Sequence, residues 1–256
     1  MGTLLGRGPV LQRPLPKTTK SEDNMNNILI AGAGKGIGLR STELLAQDNH
    51  VIALSRTVTP ELQSIKADCM PFHAGTDDPS TLNLPDALQG LVYCPGSINL
   101  KPFGRLTTDD FLADFRQHVL GAVQLIQTAL PALKKSGSAS IVLFSTVAVQ
   151  TGMPFHASVA VAKGAVEGLT RSLAAELAAS RIRVNAIAPS LTDTPLASAL
   201  LSSPEKREAA ARRHPLQRIG TVDDMAQLVR FLISEESSWI TGQVISADGG
   251  IGALRT

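Results

Sequence analysis

Short runs of mostly apolar, often β-branched residues alternate with longer helical patterns from residue 27 to residue 248. Six or so of the seven runs are apolar nearly throughout, which indicates strands buried on both faces of a sheet. Helical segments between such strands serve as crossovers, which are right-handed when they join parallel strands. The pattern therefore predicts a doubly wound α/β domain, a seven-stranded parallel sheet of Rossmann type with helices on both faces. The seven runs are NILIAG, HVIALS, MPFHA, GLVYC, ASIVLFS, IRVNAIAP and GQVISAD.

The chain divides into a short leader and one domain. Residues 1–24 carry Pro, Gly, Arg and Lys with no period, so we expect an expression leader or a disordered extension, with a transit-like segment as the alternative. Residues 25–256 have the length of one large α/β domain. Prolines in the 75–89 crossover predict a helix of at most a turn or two. The segment 190–220, rich in Pro, Ser, Ala and Arg, is a candidate for a mobile lid over a substrate site.

The charge balance and the cysteines restrict the kinds of partner and the compartment that we expect. A net charge of +2 gives no strong basic field, so neither nucleic acid nor a membrane surface is expected, and a small-molecule partner is favoured. The apolar runs are far shorter than the about 20 residues of a membrane span. Cys69 and Cys94 lie beside apolar runs outside any C-x-x-C pair, which predicts reduced thiols in a cytoplasmic protein. No metal site is expected, because no His, Cys and Asp cluster has ligand spacing.

A glycine-rich loop, AGAGKGIG, follows the first strand directly and opens a helix. Glycines there let the backbone approach a pyrophosphate, and the amides at the helix N-terminus stabilise its negative charge. Such loops also serve ordinary tight turns, but the strand before it and the helix after it favour dinucleotide binding.

The end of the second strand carries Ser55 and Arg56 where an acidic residue would bind a ribose 2′-hydroxyl. Arg56 could instead pair with a 2′-phosphate, and Lys35 in the glycine loop could add a second positive charge. The alternative is that Arg56 is simply a solvated charge. The residues favour NADP(H) as the cofactor.

With these motifs in order, the chain resembles the short-chain dehydrogenase/reductase family over nearly all of residues 26–252. Its glycines match the family's TGxxxGIG loop, with Ala31 where Thr is usual, and IRVNAIAPSLTDTPL and SSWITGQVISADGG match two later signatures. The resemblance implies an NADP(H)-dependent oxidoreductase, active as a homodimer or homotetramer through its two long helices. It places cofactor contacts at Gly32, Gly34, Lys35, Gly36, Ile37, Gly38, Ser55, Arg56, Cys94, Gly96, Lys163, Pro189 and Thr194.

The catalytic residues that the resemblance implies are only partly present. Lys163 stands where the family has its active-site Lys, whose ammonium binds the nicotinamide ribose, and Thr146 stands where the family has its catalytic Ser. Val159 occupies the position of the proton-donating Tyr, and His118 that of the Asn that orders a relay water. An imidazole titrates near pH 6.5, so His118 is a candidate substitute donor, although a packed helix residue is the alternative. The only tyrosine, Tyr93, is expected to pack in the core.

A further departure lies after the fourth strand, where the family has Asn-Asn-Ala-Gly and this chain has Tyr93, Cys94, Pro95 and Gly96. Gly96 keeps the close approach to the cofactor that the family motif implies.

Two functions fit these residues. The first is an NADP(H)-dependent oxidoreductase acting on a small carbonyl or an activated double bond, with the proton coming from His118, water or the substrate. The second is a catalytically silent NADP(H)-binding sensor or interaction subunit. Retention of both Lys163 and Thr146 favours the enzyme.

Overall fold

The computed structural model describes residues 25–255, so the expected leader at 1–24 lies outside the described residues. Seven parallel strands form one sheet in the order β3-β2-β1-β4-β5-β6-β7, which confirms the predicted doubly wound sheet. The strands are β1 (Asn26–Ala31), β2 (Asn49–Ser55), β3 (Asp68–Pro71), β4 (Gly90–Tyr93), β5 (Ala139–Phe144), β6 (Ile182–Pro189) and β7 (Val244–Ala247).

Helices cover both faces of the sheet. They are α1 (Gly36–Leu45), α2 (Pro60–Gln63), α3 (Thr108–Phe115), α4 (Gly121–Lys135), α5 (Ala157–Leu177), α6 (Pro204–Arg212) and α7 (Val222–Ile233). Short 3-10 turns occupy Pro79–Thr81, Phe103–Arg105, Val147–Val149, Ala178–Ser180, Pro195–Leu201 and Glu235–Ser237.

Alternate residues of each central strand enter two separate cores. In β1, Leu29 packs with the core under α4 and α5, whereas Ile28 and Ile30 pack with the core under α1 and α7. All three side chains are fully buried. This double burial is the physical reason that the strands are apolar at successive positions rather than alternating with polar residues.

The third strand is the least well predicted element. β3 ends at Pro71, so only the first two residues of MPFHA are in it. The Phe72 amide still donates to Ser55 O at 2.8 Å, but His73 N donates to the Asp77 carboxylate at 2.6 Å and turns the chain away. The crossover that follows holds a single 3-10 turn, as its prolines predicted.

The long helical pattern over 110–135 is interrupted at its centre. α3 and α4 are joined by a π-helical turn at Arg116–Leu120, in which the Gly121 amide donates to the Arg116 carbonyl. Tyr93, buried at the end of β4, donates from its hydroxyl to the Gln117 carbonyl of this turn at 2.7 Å. Tyr93 is thus a core residue, as predicted, with a hydrogen bond that holds the π turn.

None of the helices between residues 25 and 255 is long and apolar enough to cross a membrane. Cys69 and Cys94 are both free and half-buried.

Candidate active site

The carboxyl ends of the strands meet at one edge of the sheet, and the strand order reverses between β1 and β4. A crevice for a ligand forms at such a switch point in open α/β sheets. The glycine loop follows β1 and the Cys94–Gly96 loop follows β4, so both border this crevice.

The glycine loop is folded so tightly that side chains are excluded. A Cβ on Gly38 would lie 2.1 Å from the Gly32 carbonyl oxygen, and Gly32 and Gly36 have φ angles of 78° and 56°. No acceptor in the described chain binds the first-turn amides of α1, at residues 36–38. A cradle of bare backbone with free amides at a helix N-terminus fits a dinucleotide pyrophosphate.

The end of β2 lies against this loop. Ser55 is buried and donates to the Thr57 carbonyl at 2.8 Å, and a Cβ on Gly34 would lie 2.1 Å from the Ser55 hydroxyl oxygen. The Arg56 and Lys35 side chains are exposed, and neither is among the ion pairs of residues 25–255. These two cations therefore border the place where a ribose phosphate would lie, and the charge of Lys35 also acts on the exposed Glu61 carboxylate.

The loop after β4 closes the other side of the crevice. The Cys94 amide donates to the Ala31 carbonyl at 3.0 Å, and Gly32 packs so closely that a Cβ would lie 2.9 Å from Pro95 N. Burial raises the pKa of the Cys94 thiol to about 12, opposed by the positive charge of Lys163. A Cβ on Gly96 would lie 3.4 Å from the His118 ring, so Gly96 lets the imidazole approach this loop.

Lys163 lies in α5 and reaches back under the sheet edge. Its ammonium donates to the Phe144 carbonyl at the end of β5, at 2.7 Å, and the residue is 8% exposed. Burial lowers the pKa of Lys163 to about 8, opposed by Cys94 and Asp114. One turn earlier in the same helix, Val159 is buried and offers no polar atom.

His118 is in the π turn and is 1% exposed. Its Nε2 lies 3.0 Å from the Ser97 hydroxyl oxygen, and Ser97 in turn donates to Asp114 Oδ1 at 2.7 Å. Burial lowers the pKa of His118 to about 3, with the Lys163 charge acting in the same direction and the Pro95 carbonyl opposing. Neither Ser97 nor Asp114 was predicted from the sequence, although the four-residue spacing of Asp114 and His118 places the two on one helix face.

The remaining predicted residues line the end of β6. Thr146 Oγ1 lies 3.5 Å from the Pro189 carbonyl and accepts from the Ala148 amide, while the neighbouring Ser145 points away to Glu167. Thr194 lies across the crevice from the glycine loop, where a Cβ on Gly36 would be 3.5 Å from it.

The His156 side chain, just before α5, has its Nδ1 2.7 Å from the Pro154 carbonyl and is not part of this group.

The expected lid is a folded segment that carries α6. His214 joins this segment to the end of β6 by two hydrogen bonds. Its Nδ1 lies 2.8 Å from the Ala210 carbonyl in α6, and its Nε2 lies 2.9 Å from the Ser190 hydroxyl just after β6. Behind this pair lies a cavity of about 310 Å³, bordered also by Leu216 and Asp248. The segment 190–220 is therefore attached to the domain by a buried residue near its carboxyl-terminal end.

Within residues 25–255, no three His, Cys, Asp or Glu side chains are arranged to hold a metal ion.

A family model described as enoyl-(acyl carrier protein) reductase matches residues 83–252. The 3-oxoacyl-[acyl-carrier-protein] reductase FabG of Thermotoga maritima is 35% identical, over 87% of this chain and 96% of its own. The chain belongs to the short-chain dehydrogenase/reductase family. A tropinone reductase homolog of Arabidopsis thaliana is 40% identical, over 87% of this chain and 90% of its own.

Solved short-chain dehydrogenase/reductase structures share this fold. A structure of ElxO with NADP bound superposes with a TM-score of 0.82 at 28% identity, over 90% of this chain and 100% of that chain. The family is one of oxidoreductases that bind NAD(P), which fits the glycine cradle described above.

Proposed function

We propose that this protein is an NADP(H)-dependent oxidoreductase that acts on a small carbonyl compound or an activated alkene. The observation that carries the proposal is the buried Lys163, whose ammonium bonds the Phe144 carbonyl at the edge of the crevice. Burying an ammonium costs free energy unless its hydrogens find acceptors. One hydrogen goes to the Phe144 carbonyl, and the other two remain for ribose hydroxyls. When bound, the dinucleotide supplies or accepts the hydride.

Arg56 and Lys35 support NADP(H) over NAD(H). Both side chains are exposed beside the end of β2, where they would meet a 2′-phosphate, and Arg56 is in none of the ion pairs of the described chain. Arg56→Ala should raise the Kd for NADPH about 10-fold and leave that for NADH nearly unchanged, since an exposed charge-assisted contact is worth about 1 to 2 kcal/mol. Lys134→Ala, at the far end of α4, is the control and should change neither. Equal losses for both dinucleotides would refute the preference.

Val159 stands where the family has its proton-donating Tyr, so the proton must come from His118, water or the substrate. Loss of a general acid typically costs about 10² to 10⁴ in rate, while binding and orientation persist. We therefore expect slow turnover rather than none. Thr146, half-buried beside the Pro189 carbonyl, is proposed to orient the substrate oxygen.

The test is fluorescence titration with NADPH, followed by NADPH oxidation with a 3-oxoacyl thioester, tropinone and simple ketones. Turnover by the parent protein that His118→Ala abolishes would support an enzyme with a relocated proton donor. The alternative, a silent NADP(H)-binding subunit, predicts micromolar NADPH binding, no turnover with any compound, and activity only in Val159→Tyr. Failure to bind either dinucleotide would overturn both.

The long helices α4 and α5 are proposed to pair with the same helices of a second copy, giving a homodimer or homotetramer. Val161 in α5 is 59% exposed, and Leu112 in α3 and Leu120 in the π turn are 43% and 41% exposed, which supports an apolar interface here. Light scattering after size exclusion should give a multiple of the 26.9 kDa chain mass, and Val161→Glu should reduce it. A monomeric parent would refute the proposal.

A further inference from the structure

Three polar side chains meet beneath the crevice, and only one of them was considered from sequence. Ser97 follows β4, Asp114 is in α3, and His118 is in the π turn; Asp114 and His118 are 3% and 1% exposed. Asp114 Oδ1 is 4.0 Å from His118 Nε2, and the Ser97 hydroxyl bridges the two. Buried polar groups are costly unless they are paired, so this cluster calls for a role beyond packing.

The direction of these hydrogen bonds follows from counting hydrogens. The Ser97 hydroxyl has one hydrogen to give. That hydrogen goes to Asp114 Oδ1, since the 2.7 Å contact is the shorter of the two. The Ser97 oxygen must then accept from His118 Nε2, which requires that Nε2 carry the hydrogen. In the neutral ring the other nitrogen, Nδ1, is therefore a bare acceptor.

The structure leaves Nδ1 free for such a role. It is buried, and it has no hydrogen-bond partner in the described chain. It lies on the side of the ring near Gly96, and the Lys163 charge acts on the imidazole. An unpaired buried acceptor next to an ammonium and a ligand crevice is suited to receive a hydrogen bond from a bound water, from Lys163 or from a substrate hydroxyl.

We propose that Ser97 and Asp114 are positioning residues that hold His118 as its Nε2–H tautomer, so that Nδ1 is the nitrogen that exchanges the proton of the reaction. The inference rests on the proposed oxidoreductase function. In the reduction direction, Nδ1 first takes a proton from a bound water or from the Lys163 ammonium, and the resulting N–H bond then breaks as the substrate oxygen gains that proton. His118 then returns to the neutral Nε2–H form. In the oxidation direction, Nδ1 takes the proton from the hydroxyl.

The groups that face His118 have opposing effects. The Pro95 carbonyl, from the β4 loop, favours the imidazolium, and Lys163, from α5, disfavours it. Asp114, from α3, lies 4.0 Å from Nε2, and the Cys94 thiol is held neutral by burial. In the free site the ring is therefore neutral at neutral pH, with a lone pair on the nitrogen that carries no hydrogen. The Ser97 and Asp114 pair keeps the accepting nitrogen on the crevice side.

Nuclear magnetic resonance of protein with ¹⁵N- and ¹³C-labelled histidine rings tests this without any turnover. There are five histidines, and His118→Asn assigns the signal of His118. At pH 7.5 we expect the shifts of a neutral ring protonated at Nε2. A ring protonated at Nδ1 would overturn the proposal, because it requires that Asp114 hold the proton and Ser97 donate to Nε2.

Asp114→Leu tests the cause. Without the carboxylate, the Ser97 hydrogen is free to turn to Nε2, and the Nδ1–H tautomer should rise from undetectable to a substantial fraction. Asp68→Leu is the matched control, because Asp68 bonds a different histidine, His50, at 2.9 Å, and it should leave the His118 signal unchanged. An unchanged His118 tautomer in Asp114→Leu would refute the positioning role.

Kinetics then distinguish this inference from the proposed function. Ser97→Ala should lower kcat by as much as about 100-fold at nearly constant KM, and Ser97→Thr, which keeps the hydroxyl, should restore most of it. Equal activity in the parent and in Ser97→Ala would refute a role in turnover. A parent that shows the expected tautomer but no turnover with any carbonyl would refute the function and leave the tautomer assignment standing.

Discussion

Acidification should destabilise this protein through one buried ring. His118 is 1% exposed, and burial together with the Lys163 charge lowers its pKa from 6.5 to about 3. In the unfolded chain the imidazole is free to take a proton below pH 6.5, whereas the folded protein keeps it neutral. Because the unfolded state then binds more protons, the free energy of unfolding falls as the pH drops from 6.5 towards 3.

The size of the effect follows from the distance below the unfolded pKa. At pH 5.0 the unfolded ring is 1.5 units below its pKa of 6.5, and each unit is worth 1.36 kcal/mol, so the folded state loses about 2 kcal/mol relative to pH 7.5. Asparagine at this position does not titrate. The difference in unfolding free energy between the parent and His118→Asn should therefore shift by about 2 kcal/mol against the parent over this range.

Urea denaturation at pH 7.5, 6.5, 5.5 and 5.0 measures this difference. His50→Asn serves as the control, since its side chain is 43% exposed, and it should keep the acid loss of the parent. The difference in unfolding free energy between the parent and His118→Asn could instead stay constant with pH or change in favour of the parent. Either result would mean that the folded state holds an imidazolium paired with Asp114. The burial argument would then be wrong.

Two further predictions concern stability and binding. Gly38→Ala places a Cβ 2.1 Å from the Gly32 carbonyl, which cannot move aside. It should lower the free energy of unfolding in urea by about 1 to 3 kcal/mol and abolish NADPH binding. Gly34→Ala meets the rotatable Ser55 hydroxyl and should lower the free energy of unfolding clearly less. If the two variants are equally stable, the backbone contact is not decisive. Tyr93→Phe leaves the Gln117 carbonyl of the π turn without its hydrogen-bond donor and should lower the free energy of unfolding by about 1 to 3 kcal/mol. A change within about 0.5 kcal/mol would contradict this.

The strands were predictable because burial on both faces leaves a local signature in the sequence. IRVNAIAP coincides with β6 from end to end. The prediction of a strand over MPFHA was too long, because β3 is an edge strand of four residues. The Asp77 carboxylate accepts from the His73 amide and ends the pairing. A side-chain contact of that kind is not visible in apolar periodicity.

The site was predictable only where its chemistry is local. The glycine loop and Lys163 follow from motifs that one strand and one helix set by themselves. Ser97 is brought to Asp114 and His118 by the packing of the loop after β4 on α3 and the π turn, which no spacing in the sequence encodes. The environment of His118, and hence its protonation, is a property of the folded molecule alone.

The π turn at Arg116–Leu120 also sets how this helix can be compared with others. It holds one more residue than the same length of α-helix would need, so the residue count slips by about 100° of helical phase across it. A helical wheel drawn through 108–135 as one period therefore misassigns the face of one half. In a relative whose helix is α-helical throughout, we expect a one-residue gap within this turn while α3 and α4 keep their packing.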